Sequence, residues 1–491
     1  MRIDNIQDVD ILQQMLKMQL KESERLKLQL AAAHSQLQLK DGTEAEQLAL
    51  KLSQIEKQHA AALKKLFGES SERSRKERAG APKAKSPQSG HGRRPQQKLF
   101  REDVLHELDV NGHRCELCEK GLSEWHGQFE DSEEIDFVAP QLVIKRHRRK
   151  KYRCNCGSCI LTAPGPQKLF KKARYSINFA INVALQKYCY HMPLARQVKE
   201  LSRYNLTVTT ATLWDYMDKL HELLKPAYER LPEYILSKSV VGVDETSWRL
   251  LKSDKKGKSK KWWVWARRVE DAVHYTLDAS RGGQTAGKLL ANYEGTVVCD
   301  GYQVYETLAR DNPKLNLANC WAHARRELLP YELNPQARRA LRVIQRLYSL
   351  ERVAKDRELS PEQWLTWRRR KTKPLLVAFF RWLDSQKIPP TSELRKAFLY
   401  IQKRRVALQR FVDDVNISPD NNATERAMRA LVLGRKNYYG SRSERGTEVA
   451  AVFYSLLESA GLAGINPHEY LRTAVLAALS GTEVPLPHEI V

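Results

Sequence analysis

Residues 239–328 constrain the fold more than any other stretch. "SVVGVDET" (239–246) is an apolar run that ends in two carboxylates, as a buried strand does. "KWWVWARRV" (261–269) and "AVHYTLDAS" (272–280) alternate as a second and a third strand. "GGQTAGKLLANY" (282–293) predicts a helix entered through glycines. "GTVVCDGY" (295–302) is a fourth strand that again reaches an aspartate, and "NLANCWAHARREL" (316–328) predicts a strand running into a helix.

Three strands, a helix, a strand, a helix and a strand is the order of a ribonuclease-H-like α/β core. In that order the first and fourth strands lie side by side, so Asp244 and Asp300, each expected to close its strand, meet at one sheet edge. Like charges that close repel unless a cation sits between them. Mg²⁺, or Mn²⁺ in its place, suits such oxygen ligands. Two-metal phosphoryl transfer needs a further carboxylate. Glu425 in "DNNATERAMR" (420–429) meets that need, with Asp413 or Asp414 as its rivals. Asp420 or Asn421 is expected to cap the helix that carries Glu425 and Arg429 on one face. Residues 332–412 read as wholly helical, an insertion between Asp300 and Glu425. His323, Arg325 and Arg326 follow the fifth strand, and Arg435 and Lys436 lie beyond the Glu425 helix. All five are auxiliary candidates, either for charge on a transferring phosphoryl group or for orienting the aspartates.

The rest of the chain is basic. It has 491 residues, with 83 Lys+Arg against 58 Asp+Glu and a formal net charge of +25. Such an excess points to a polyanionic partner, above all nucleic acid. Five of eight cysteines sit between 115 and 159. No secretory leader is visible, so this clustering favours a zinc site in a reducing compartment over a disulfide framework. "CELC" (115–118) supplies Cys115 and Cys118, and "CNCGSC" (154–159) offers three thiols for two places. Symmetry favours Cys156 and Cys159, with Cys154 an alternative ligand. Between the knuckles, "KRHRRKKYR" (145–153) brings Arg146, Arg148, Arg149, Lys150 and Lys151, a sequence-blind phosphate grip if it alternates on a zinc-stapled ribbon. Arg93 and Arg94 in "GRRP" (92–95) are a weaker version of a minor-groove hook. "LSRYNLTVTTATLWDYMDKL" (201–220) has a helix-turn-helix look, with Thr209 or Thr210 as the cap of its second helix. No run approaches the roughly 20 apolar residues that span a bilayer. A cytoplasmic, nucleoid-associated bacterial protein is expected.

Taken together, "KKLFGESSER" (64–73), "GHGRRP" (90–95), "QKYCYHMPLARQ" (186–197), "VDET" (243–246), "DGYQVY" (300–305), "CWAHARRE" (320–327), "DNNATERAMR" (420–429), "LGRKN" (433–437) and "YSLLESAGLAGINPHEYL" (454–471) resemble a transposase of the insertion sequence sixty-six family. "YCYH" (188–191) departs from the family's usual acidic residue before the His, and "KNYYGSRSERG" (436–446) is looser than its usual run. The resemblance implies an Asp-Asp-Glu triad of Asp244, Asp300 and Glu425 and a zinc-binding domain. It also implies terminal inverted repeats as substrate and small accessory proteins from the same element. Double-stranded DNA, at element ends and target, is the expected partner of a homo-oligomer. The expected domains are a helical or coiled-coil N-terminus (1–68), a basic linker (69–100), a zinc domain (101–165) and a helical DNA-binding region (166–235). A catalytic core follows in two parts (236–331 and 416–445), split by the helical insertion (332–415) and closed by a helical end (446–491). The rival readings are a non-catalytic zinc-dependent binder, such as a repressor or domesticated transposase, and a nuclease acting on RNA–DNA hybrids.

Overall fold

The computed structural model describes residues 142–153, 160–171, 173–251 and 260–490. The five clustered cysteines, Arg93 and Arg94, the N-terminal helical stretch and the linker lie outside these residues. The described chain begins with an exposed basic segment (142–150), which enters a short antiparallel pair of β1 (Lys151–Arg153) and β2 (Ile160–Thr162). Arg149 Nε donates to the Ala163 carbonyl across this pair, 2.5 Å away.

Three helices follow: α1 (Ile177–Tyr188), α2 (Leu194–Arg203) and α3 (Thr210–Leu236). Thr209 caps α3, its hydroxyl accepting from the Thr212 amide at 3.1 Å, as the Thr-rich turn predicts. Beyond its first turns α3 buries Leu220, Leu224, Ala227, Leu231 and Ile235, one face of a 3.6-residue repeat.

The central sheet contains β3 (Val240–Leu250), β4 (Lys260–Arg268), β5 (Val273–Asp278), β6 (Gly295–Cys299) and β7 (Leu315–Asn319), in the order β5-β4-β3-β6-β7. β3, β4 and β5 pair antiparallel, while β3, β6 and β7 pair parallel. The parallel crossovers run through α4 (Gly283–Leu289) and α5 (Gln303–Asp311). The strand and helix order read from the sequence is thus the observed one.

One expectation needs correction. Asp244 does not end its strand, because β3 continues to Leu250. The hairpin with β4 pairs all of Gly242–Leu250, whereas the parallel ladder with β6 stops at Gly242↔Val298. Asp244 therefore sits just past the end of the parallel half. There, among the described residues, no strand pairs with β3 beyond β6, and the helix from Asn422 packs on it instead.

After β7 comes α6 (Trp321–Leu328), then the insertion: a 3₁₀ turn (Leu329–Tyr331), α7 (Pro335–Asp356), α8 (Pro361–Trp367), a π turn (Arg368–Thr372), α9 (Lys373–Asp384), α10 (Glu393–Lys403) and α11 (Arg405–Gln409). The chain then returns to the sheet as α12 (Asn422–Tyr438), α13 (Glu444–Leu462) and α14 (Pro467–Leu479). One apolar core joins Ile181, Leu220, Val241, Tyr275, Leu431, Phe453 and Leu471, so first helices, sheet and last helices share it. A second core fills the insertion around Trp321, Ile344, Phe380, Phe398 and Phe411. Trp321 is the pin between insertion and sheet: its ring is fully buried, and its indole N–H donates to the Leu408 carbonyl at 2.7 Å. Among the described residues no helix is long and apolar enough to cross a membrane.

Candidate active site

Three elements deliver the acids. Alternation along β3 puts Val241, Val243 and Glu245 on one face and Gly242 and Asp244 on the other. Asp300 follows β6 directly, and its Oδ1 accepts from the Tyr302 amide at 2.9 Å, which closes the turn into α5. Asn319, at the end of β7, donates to the Asp300 carbonyl at 2.9 Å and fixes that turn from the next strand. Glu425 lies in the first turn of α12.

The docking of α12 on β3 decides where Glu425 sits. Asn421 occupies the cap position, but its side chain caps nothing: its amide donates to the Val243 carbonyl at 2.7 Å. Asp420 instead accepts from the Asn422 amide at 3.1 Å. Of the two expected caps, Asp420 is the one that accepts at the helix start, while the Asn421 carboxamide is turned to satisfy a strand carbonyl. Thr424 packs flat on Gly242, where a Cβ would come within 2.2 Å of the Thr424 hydroxyl. Arg435 binds the Ser247 carbonyl and, at 2.9 Å, its hydroxyl. That is ten residues, about 15 Å of helix, from Glu425, and there Arg435 fastens the helix to β3. Lys436 is exposed beyond it. The rival acids serve elsewhere: Asp413 faces Lys373 at 3.5 Å, and Asp414 closes a turn onto the Asn416 amide at 2.9 Å.

This packing predicts that Gly242→Ala costs roughly 1–3 kcal/mol, the usual penalty for forcing atoms into a filled space. Urea unfolding should show a lower midpoint, partly restored by adding Thr424→Ala. An unchanged midpoint in Gly242→Ala would contradict this close approach.

The electrostatics are strained around Asp244. Burial, and then the charges of Glu245, Asp300 and Glu425, push its carboxyl up to about 8, although the Glu245 amide donates to it at 2.8 Å. Asp300, just after β6, and Glu425, on α12, thus both bear on the Asp244 carboxyl. Glu245 points to the opposite face, where Arg281 (2.7 Å) and the Tyr305 hydroxyl (3.0 Å) hold it, yet burial still raises its carboxyl. Neither Arg281 nor Tyr305 stood out in the sequence.

His323 and Arg326 gather at Glu425. Arg326 Nη2 lies 2.9 Å from both oxygens of Glu425, and its Nη1 donates to His323 Nε2 at 2.9 Å. His323 Nδ1 lies 3.7 Å from Glu425 Oε1. Burial, then the Arg326 charge, lowers the imidazole's basicity. Cys320 completes the group: ligand atoms of Cys320, His323 and Glu425 all lie within 4.8 Å of one another. Burial pushes the Cys320 thiol up to about 11, and its sulfur accepts from the Asn421 amide at 3.3 Å. A protonated, hydrogen-bonded thiol is a poor metal ligand near neutral pH. The carboxylates of Asp244, Asp300 and Glu425 are hard oxygen donors whose mutual repulsion a divalent cation would relieve, so they fit Mg²⁺ or Mn²⁺.

Residues 172–449 match the model of the family described as "Transposase IS66 family". The chain belongs to that family. The match takes in all three acids and ends within α13. Among relatives of this chain in Sinorhizobium fredii, uncharacterized protein y4jD is 31% identical over 405 residues, covering 78% of each chain. Uncharacterized protein y4hP is 26% identical over 481 residues, covering 91% of this chain and 85% of its own. Uncharacterized protein y4qI is 26% identical over 370 residues, with 71% and 68% covered.

Proposed function

We propose that the chain is an Asp-Asp-Glu DNA transposase that cuts and joins strands at the terminal inverted repeats of its element. The observation that supports this reading is that the charges of Asp300 and Glu425 both bear on the buried Asp244 carboxyl, the three acids being carried by β3, the end of β6 and α12. Family membership supports a transposition role, and the strand order supports a ribonuclease-H-like core.

In this reading Asp244, Asp300 and Glu425 hold Mg²⁺ or Mn²⁺. When bound, the metal supplies Lewis-acid activation of a water or 3′-hydroxyl and stabilises the leaving oxygen. Asp244 and Asp300 stay aimed because their backbones are fixed in or beside adjacent strands. Arg326 would stand beside the third ligand, where a guanidinium can meet charge developing on phosphoryl oxygens. The same three acids would serve cleavage and strand transfer. The exposed Arg146, Arg148, Lys150 and Lys151, together with the hairpin's Arg149, would grip phosphates. The expected zinc domain and linker would join them. Oligomerisation on DNA and accessory proteins belong to the same proposal, as do the domain boundaries drawn from the sequence.

The test uses duplex DNA carrying an element end. Glu425→Gln should lose Mg²⁺-dependent cleavage, while Asp413→Asn and Asp414→Asn should keep it. The reverse pattern would move the third acid and overturn the assignment.

A further inference from the structure

The insertion carries a charged face that the proposed chemistry does not use. α7 buries Ala337, Ala340, Ile344, Leu347 and Ala354 on one side. Arg338, Arg342 and Arg346 recur every fourth residue on the opposite side, all exposed, about 6 Å apart along the axis. Among the described residues Arg342 and Arg346 have no hydrogen-bond or ion-pair partner. α7 contains only two acids, Glu351 and Asp356, and Glu351 is turned inward onto Arg368. That buried pair seats the π turn against the later half of α7 and leaves Arg369, Arg370 and Lys371 exposed. A π turn inserts one extra residue, which here lets Arg368 face in while its three basic neighbours face out.

The face is connected to the acids. Arg326 and His323 sit on α6, which runs through the Leu329–Tyr331 turn into α7. Arg338 donates to the Glu332 carbonyl at 3.2 Å and so fixes the start of α7 to that connection. The helix is about 33 Å long, close to ten base pairs of duplex.

We propose that the arginine face of α7 binds the phosphate backbone of double-stranded DNA that runs away from the cleavage position. Charge complementarity selects the occupant: arginines repeating along one rigid axis, with no acid among them, match a linear polyanion. Exposed guanidiniums without base-reading geometry imply binding that is sequence-blind and salt-sensitive. The proposal takes its partner from the transposase reading, but its test does not require cleavage.

Binding is measured by fluorescence anisotropy in Ca²⁺, with element-end duplexes carrying either about 5 or about 20 base pairs beyond the cleavage position, a difference longer than α7. The double substitution Arg342→Gln and Arg346→Gln should weaken long-flank binding roughly ten-fold near 0.1 M salt. The slope of log K against log salt should flatten by about 1.8, since each phosphate neutralised is worth about 0.9. Short-flank binding should not change. Lys396→Gln, on another exposed face of the insertion, should leave both duplexes unaffected. An unchanged slope on the long duplex, or equal losses on both lengths, would overturn the proposal. An intact long-flank effect in a protein that never cuts would count against the catalytic reading alone.

Discussion

Asp300→Asn should lower Mg²⁺-dependent cleavage at an element end on the order of a thousand-fold, about 4 kcal/mol of barrier, while DNA binding survives. The substitution keeps the Oδ1 that accepts from Tyr302, so the turn into α5 is retained. What disappears is one negative charge at the sheet edge, where Asp244 already feels the other acids. Replacing Arg148, Arg149, Lys150 and Lys151 with Ala should give the opposite profile. Binding should fall, and its salt slope should flatten by about 0.9 for every phosphate that is no longer neutralised. Cleavage and gel-shift on one DNA separate the two effects. If Asp300→Asn cuts as well as the parent, the acidic mechanism fails. If the parent binds ends but never cuts with Mg²⁺ or Mn²⁺, accessory proteins supplied, a repressor-like binder becomes the better account.

Glu351→Ala should destabilise the fold by about 3–5 kcal/mol, because it leaves the Arg368 guanidinium buried without its counter-charge. Arg368 is 2% exposed, forks the Glu351 carboxylate at 2.7 Å and donates to the carbonyls of Phe411, Asp414 and Ile417. Those carbonyls belong to the return path from the insertion to α12. Removing the pair should therefore loosen the segment that delivers Glu425 and lower cleavage as well as the unfolding midpoint. Glu351→Gln keeps hydrogen-bonding oxygen but no charge, and should fall between parent and Ala. A Glu351→Ala stability within about 1 kcal/mol of the parent would show that the pair anchors nothing.

Local pattern in the sequence was enough for the strand order, the positions of Asp244 and Asp300 next to parallel strands, the helical insertion and the Thr209 cap. The apolar run in "GTVVC" reads directly as a buried strand, whereas "KWWVWARRV", expected to alternate, buries Val264, Trp265, Ala266 and Arg267 in succession because both faces of the sheet are covered there. β3 runs four residues past "SVVGVDET" because Ser247–Leu250 pair with β4. Local chemistry makes either Asp420 or Asn421 a cap, and it is Asp420 that accepts at the helix start. Only the fold brings the Val243 carbonyl, 178 residues away, to claim the Asn421 amide. The same holds for Arg326 on Glu425, 99 residues apart, and Glu245 on Tyr305, 60 apart. Which acid is paired by a guanidinium, and which is left to crowd its neighbours, depends on distances between elements. The sequence determined which residues could carry charge to the sheet edge. The tertiary packing decided which charges are answered there: it set Arg326 on Glu425 and left the Asp244 carboxyl raised by burial first, then by Glu245 beside it and by Asp300 and Glu425 from distant parts of the chain, because desolvation and Coulomb energy both follow position in space.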